Sequence, residues 1–386
     1  MKSKQAIVFF LVAVAALTLM VACSSDDEEK NVKIGLLSPQ TGPISQFSPG
    51  FENAADVAIA ELNADNEDYT FELIVSDSGC DGTQAATAAQ SLIDSGVSVI
   101  IGAACSGATL GAIAVAAPAG IPMISYASTS PAVTTAEDDG KLFRVVPSDA
   151  QQAVALSDVM AAQGASNPAV LYMTNDYGSG LGDNFETAWS SSVCTRVGYD
   201  PTEGSYDAST LAQAVVDGGC DSVVLMSYDI DGAAILEALS SQGFGGQSFA
   251  ADGLADLALQ ESVTDVAALN DLIATKPRPG EDSNAKADFE AAYAAAGGAD
   301  GAIYTHETYD AIKLAAAAIM SGNDDLAAAI TSTGSPYVGA SGSHTFDSAG
   351  DVLGTGYSVC EFDISGSTVN FACPQVWTQD GGIADN

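Results

Sequence analysis

"VSVIIGAACSGATLG", Val97 to Gly111, is the stretch that decides the fold. Its first five residues read as a strand, and the small residues behind them lead into a helical segment. A strand that turns straight into a helix is the repeating unit of an open α/β sheet. Gly, Ser and Thr at such a place mark either an anion site at a helix N-terminus or an ordinary turn. Cys105 is open to three readings: a nucleophile, a metal ligand or half of a disulfide. The stretch alone leaves these choices open.

Working outward, the same alternation runs in both directions. Upstream lie the apolar run Val32 to Ser38, a helical segment Phe51 to Ala64, the strand Phe71 to Asp77 and a helix from Thr83 to Gly96. Phe51, Ala55, Ala58 and Leu62 share one helical face. Downstream come a helical "ATLGAIAVAAPAG" and the strand Pro122 to Ala127. Near-continuous apolar strands alternating with helices predict a parallel sheet covered on both faces. The pattern pauses at "LFRVVPSDAQQAVAL", where a strand ends at Pro147 and Ser148 or Asp149 is placed to cap the next helix. It then restarts with strands at Pro168 to Thr174, Asp221 to Ser227 and Ser248 to Asp252, which predicts a second lobe. A helix is expected from about Gly180 to Ser190, with "GSGLGD" (Gly178 to Asp183) as a loop leading into it. "KPRPG", Lys276 to Gly280, reads as a crossing between lobes. The tail changes to period-two alternation around "SGS", a hairpin flanked by Cys360 and Cys373.

The N-terminus reads as an export signal. Lys2 and Lys4 precede an apolar stretch of 17 residues, Ala6 to Ala22, which is short for a membrane span and has the flanks of a secretory segment. Its end, "MVAC", resembles the lipobox of bacterial lipoproteins, in which the cysteine, here Cys23, becomes the lipid-modified first residue. Residues 23–31 would then form a polar tether. The chain carries 50 acidic against 11 basic residues, a net charge of −39. Such a surface repels nucleic acid and anionic lipid and favours solubility. Without Cys23, six cysteines remain, an even number suited to an oxidising compartment. Proximity suggests the pairs 80–105, 194–220 and 360–373 among the 15 connectivities that six cysteines allow. With no C-x-x-C and two histidines in all, a zinc site has little support.

Enzyme templates are poorly matched. G-x-S-x-G, H-E-x-x-H and Walker A patterns are absent from the sequence. His306 beside Glu307 is a general-base candidate for a hydrolase, against the simpler reading of a surface or lining residue. Ligand binding fits better, because open α/β sheets bind small molecules at the carboxyl ends of their strands. "ACSGAT" and "YASTSPA" carry hydroxyls at two such ends, so Ser106 and Thr129 with nearby amides would make a nest for a carboxylate. Asp252, at a strand end in the other lobe, suits a cationic group.

Taken together, "IGLLSPQTGPISQFSPGFENAADVAIAELNA", "DSGCDGTQAATAAQSLIDSGVSVIIGAACSGAT", "GIPMISYASTSPAVT", "FRVVPSDAQQA", "NDYGSG", "YTHETYDAIKL" and "HTFDSAGDV" resemble the leucine/isoleucine/valine-binding, type I periplasmic-binding-protein family. These are lipid-anchored solute-binding proteins of ABC importers. The resemblance implies two doubly wound α/β lobes joined by three crossover segments. Lobe I would hold residues 32–147 and 276–352, and lobe II residues 148–275 and 353–386. It implies a Cys80–Cys105 disulfide, Ser106 and Thr129 on a ligand carboxylate, and the Ala127 carbonyl with Asp252 on its ammonium. Tyr177 and Tyr228 would close over the ligand, and Phe47 and Tyr304 would wall a side-chain pocket. Ala104 is small where the family commonly has a larger aliphatic residue, so a roomier pocket is expected. His306 and Glu307 replace more apolar residues near Tyr304, pointing to a larger or partly polar ligand. The function implied is a non-enzymatic, cofactor-free monomer that captures an amino acid and delivers it to ABC permease subunits, with the lipid anchor as its membrane contact. A sensory module, or a binder of an amide, urea or aromatic acid, is the alternative.

Overall fold

The computed structural model describes residues 30–386 apart from 203, 279, 281, 282, 300 and 301. The export signal and Cys23 lie outside the described residues. The first strand, β1 (Lys30–Ser38), begins inside the expected tether. Lys30 already pairs with Tyr69 of the neighbouring strand and bonds its hydroxyl at 3.1 Å.

The first half of the chain winds α1 (Ser48–Asp65), β2 (Tyr69–Asp77), α2 (Gly82–Asp94), β3 (Val99–Ile101), α3 (Ser106–Ala116), β4 (Met123–Ser125), the short α4 (Pro131–Thr134) and β5 (Leu142–Arg144) around one sheet. Its order is β2-β1-β3-β4-β5, all parallel. Ile34, Leu36, Val99, Ile100 and Ile101 are fully buried in it, as strands covered on both faces must be. On α1, Phe51, Ala55, Ala58 and Leu62 form the buried stripe their spacing predicts.

The second sheet begins after α5 (Asp149–Ala162), capped by the Ser148 side chain. Then follow β6 (Pro168–Met173), α6 (Asp176–Ala188), β7 (Thr195–Tyr199), α7 (Ala208–Gly218), β8 (Ser222–Met226), α8 (Asp229–Ser241), β9 (Gln247–Ala250) and β10 (Ile273–Pro277). The helix expected from Gly180 starts at Asp176, so the glycine-rich segment is helical and not a loop. Asn175 caps it, its side chain accepting from the Gly178 N–H at 2.9 Å. Glycine is needed at 178 because a Cβ there would stand 2.3 Å from the Met173 carbonyl oxygen. Low helix propensity yields here to the close approach of α6 and β6.

Beyond β10 the chain returns to the first sheet. α9 (Asn284–Ala295) and α10 (Thr305–Met320) pack on α1, α10 also reaches β3 and β4, and α11 (Leu326–Thr333) packs on α10. A small ribbon, β11 (Tyr337–Val338) with β12 (Ser343–His344), follows. The chain then crosses back into β13 (Tyr357–Ser365), β14 (Thr368–Thr378) and β15 (Gly382–Asp385), which extend the second sheet antiparallel from β10. The backbone therefore passes three times between the sheets: after β5, after β10 and before β13.

Among the described residues three disulfides form, Cys80–Cys105, Cys194–Cys220 and Cys360–Cys373. The first ties the loop before α2 to the residue that precedes α3, where the two helices touch backbone to backbone. A Cβ on Gly111 would fall 2.1 Å from the Gly82 carbonyl oxygen. The third joins the paired strands of the C-terminal hairpin at a register shift.

Candidate functional site

Where the two sheets face each other, a cavity of about 40 Å³ is lined by Phe47, Ala104, Ser106, Ala127 and Thr129 on one side. Tyr177, Tyr228, Asp252 and Gly253 line the opposite side, and Ile303 with Tyr304 closes an edge. Every ligand-contact residue expected from the sequence thus lies around one space. It is larger than a single water requires.

One pole is built by the turn of the opening stretch. Ser106 is the first residue of α3, and no side-chain cap closes that helix. Its first-turn N–H groups and the positive end of its dipole therefore stand at the cavity wall, suited to an anion. Ser106 is buried, and its hydroxyl accepts from the Ser130 N–H at 3.2 Å. Thr129 sits in the loop after β4, and Arg144 holds that loop. Its guanidinium donates to the carbonyls of Ser128, Thr129 and Ser130 at 3.3, 3.0 and 3.0 Å. The same guanidinium pairs with Asp351 at 2.6 Å in the last crossover. A fully buried arginine survives because its donors are spent on that carboxylate and those carbonyls.

The other pole is acidic. Asp252 follows β9, and its two carboxylate oxygens accept from Tyr177 at 2.8 Å and Tyr304 at 2.7 Å. Burial raises its pKa, while the hydrogen bonds from Tyr304 and Tyr177 work the other way. Burial and then the Asp252 charge raise the Tyr177 and Tyr304 phenols well above their ordinary range, so both remain donors. Tyr228 stacks on Tyr177 with ring centroids 5.3 Å apart. Tyr304 precedes α10 with φ 58°, a conformation uncommon for an aromatic residue.

The sides meet directly as well. Gln46 donates to Asp229 at 3.0 Å, the Ser130 hydroxyl to the Asp176 carbonyl at 2.8 Å, and the Ile303 N–H to Asp256 at 3.1 Å. The described form is therefore closed over the cavity.

His306 and Glu307 are not part of this cavity, against the expectation that they shape its ligand. They line a neighbouring space of about 410 Å³ with Lys276 and Phe289. Ile303 and Tyr304 line both spaces, so His306 and Glu307 stand beside Tyr304 on the far side of a shared wall. His306 bonds Glu290 at 3.2 Å and meets the edge of Phe289, and burial lowers its pKa. Burial pushes the Glu307 carboxyl up to about 7. Sequence reasoning missed Ile44, Phe51 and Ile303, which also wall the cavity. Phe51 was readable only as a core residue of its helix. Ile44 and Ile303 lie outside any periodic element, so nothing marked them. Among the described residues, no group of His, Cys, Asp and Glu could hold a metal ion, and no helix is long and apolar enough to cross a membrane.

Comparison with known proteins gives consistent findings. A model of the periplasmic binding protein family matches residues 31–366. A Leu/Ile/Val-binding protein of Escherichia coli K12 is 23% identical, the match covering 93% of this chain and 98% of that protein. The solved structure of a leucine-binding protein from Thermotoga maritima is 26% identical, with a TM-score of 0.79 over 90% of this chain and 99% of that one. A solute-binding protein of Rhodopseudomonas palustris, solved with 4-hydroxybenzoate, has a TM-score of 0.78 at 16% identity, covering 92% and 98%. At that identity the likeness concerns the fold.

Proposed function

The chain belongs to the periplasmic binding protein family, and from that premise we propose that it captures an α-amino acid with an apolar side chain and delivers it to an ABC permease. Solute-binding relatives, with no enzyme among those named above, leave the hydrolase reading of His306 without support. The observation that carries the amino-acid reading is the pairing of opposite poles across one cavity. An uncapped helix start with Ser106 and Thr129 suits a carboxylate, and Asp252 with the Ala127 carbonyl suits an ammonium. Phe47, Ile303 and Tyr304 supply the apolar wall, and the small Ala104 leaves room beside it.

Affinity follows from the same contacts. A hydrogen bond to a charged group contributes about 1.5–3 kcal/mol, so a few, less the cost of ordering, reach the micromolar range at about −8 kcal/mol. Carboxylate contacts come from one lobe and Asp252 from the other, so only a bound ligand satisfies both together, which favours the closed state. Cys23 would tether the receptor to the membrane through lipid.

Titration calorimetry against the common L-amino acids, with 4-hydroxybenzoate and acetamide in the same panel, tests this reading. Heat with leucine, isoleucine, valine or phenylalanine is expected. Binding of 4-hydroxybenzoate with none of the amino acids would overturn it, since that ligand offers no cation to Asp252.

A further inference from the structure

Behind Thr129 lies a second acid that the amino-acid contacts do not use. Asp149 opens α5, is fully buried, and donates its backbone N–H to the Thr129 carbonyl at 2.8 Å. Among the described residues neither of its carboxylate oxygens has a hydrogen-bond partner, and the same holds for the Gln152 side-chain oxygen one turn along. The Thr129 hydroxyl is near enough to temper the Asp149 charge without reaching ordinary hydrogen-bond geometry. A buried, unsatisfied carboxylate costs several kcal/mol if ionised, so such a group takes a proton or a cation.

Among the described residues, the groups around it supply no cation that is not already paired. The positive charge of Arg144 of β5 favours its ionised form, but that guanidinium is already paired with Asp351 at 2.6 Å. From the loop after β9 comes Asp252, a like charge whose field, after burial itself, does most to raise the Asp149 pKa. Tyr177 of α6, Tyr228 before α8, Tyr304 before α10 and Tyr357 of β13 all feel the Asp149 charge, and burial holds each phenol protonated. Asp252 is in addition the acid that faces the cavity. Geometry brings the two acids together: Gln152, one turn from Asp149, donates to the Thr275 carbonyl of β10 at 3.0 Å, and β10 pairs with β9, whose end leads to Asp252. On two buried carboxyls so placed, a first proton stays far more easily than both come off.

We propose that Asp149 and Asp252 hold one proton between them while the cavity contains no cation, and release it to solvent when an ammonium group arrives. The proposal rests on the amino-acid reading above and makes Asp149 a positioning residue for charge, acting through Asp252. The ligand ammonium replaces the proton as the positive partner of the two acids. A ligand lacking a cation gains nothing from the exchange, so the pair also selects for amines over neutral amides and plain acids.

The full chain, titrated with L-leucine at pH 7 in two buffers of different ionisation heat, should release close to one proton per leucine bound. The dissociation constant should fall by up to about tenfold per pH unit across the range in which the free pair keeps its proton. Asp149→Asn should bind leucine with that slope flattened and the proton release lost, which a merely structural role would not produce. The free protein gives a ligand-independent arm: a protonated-carboxyl infrared band at pH 7 that weakens in Asp149→Asn. Leucine binding with no proton exchanged would overturn the proposal and leave the amino-acid reading standing. An infrared band unchanged in the variant would overturn the proposal whatever ligand binds. The wild-type titration serves if the variant does not fold.

Discussion

The two poles of the cavity are made in different ways. The pole proposed for a carboxylate is local: Ser106 follows a disulfide cysteine, and Thr129 lies in a loop clamped by Arg144, all within one sheet and its connections. The acidic pole is assembled from residues far apart in the chain. Asp252 belongs to the second sheet's connections, while Tyr304, which donates to it, precedes a helix packed on the first. One pole exists before the lobes meet, and the other is complete only after they do. Local rigidity and long-range assembly should therefore respond to different substitutions.

The largest effect is expected on the prebuilt pole's support. Replacing Cys80 and Cys105 by serine should cost about 3 kcal/mol of unfolding free energy by loop-closure entropy, read from urea denaturation. The Cys360–Cys373 pair closes a loop of 13 residues against 25 and should cost about 0.6 kcal/mol less. An equal or reversed loss would show that stability is not governed by loop length here. Next is Asp252→Asn, expected to weaken amino-acid binding by about 2 kcal/mol, or ~30-fold. Unchanged affinity would place the ammonium elsewhere. Ser106→Ala should cost about 1.4 kcal/mol, near tenfold, since the helix start keeps its N–H groups.

The seam responds to pH. Asp229 accepts from Gln46 across the lobes, and burial pushes its pKa up to about 7. A folded carboxyl that binds its proton more tightly than the unfolded one destabilises the fold as pH rises from about 4 to 7. Asp229→Asn should then stabilise the fold at pH 8, with the gain fading toward pH 4. Thermal unfolding across that range checks the sign.

Much of this was legible in the chain. Apolar strands and the stripe on α1 announced the sheets, because covered parallel strands leave no room for polar residues. Where the reading failed, local preference lost to packing. "GSGLG" looked like a loop, yet α6 runs through it because Gly178 admits the Met173 backbone. His306 and Glu307 do lie beside Tyr304, but they line a second space that shares Tyr304 with the cavity.

What the sequence by itself determined is the architecture and most of the residues that line the cavity, through period, turn chemistry and the family resemblance of its motifs. Only the tertiary structure decided how charge is arranged within it. Arg144 read as one residue of a strand, and it proved to be the clamp of the Thr129 loop. Asp149 read as a helix-capping residue, and it proved to be a buried acid within the field of Asp252. Burial and the partner set control a charge, and both come from segments more than a hundred residues apart in the chain.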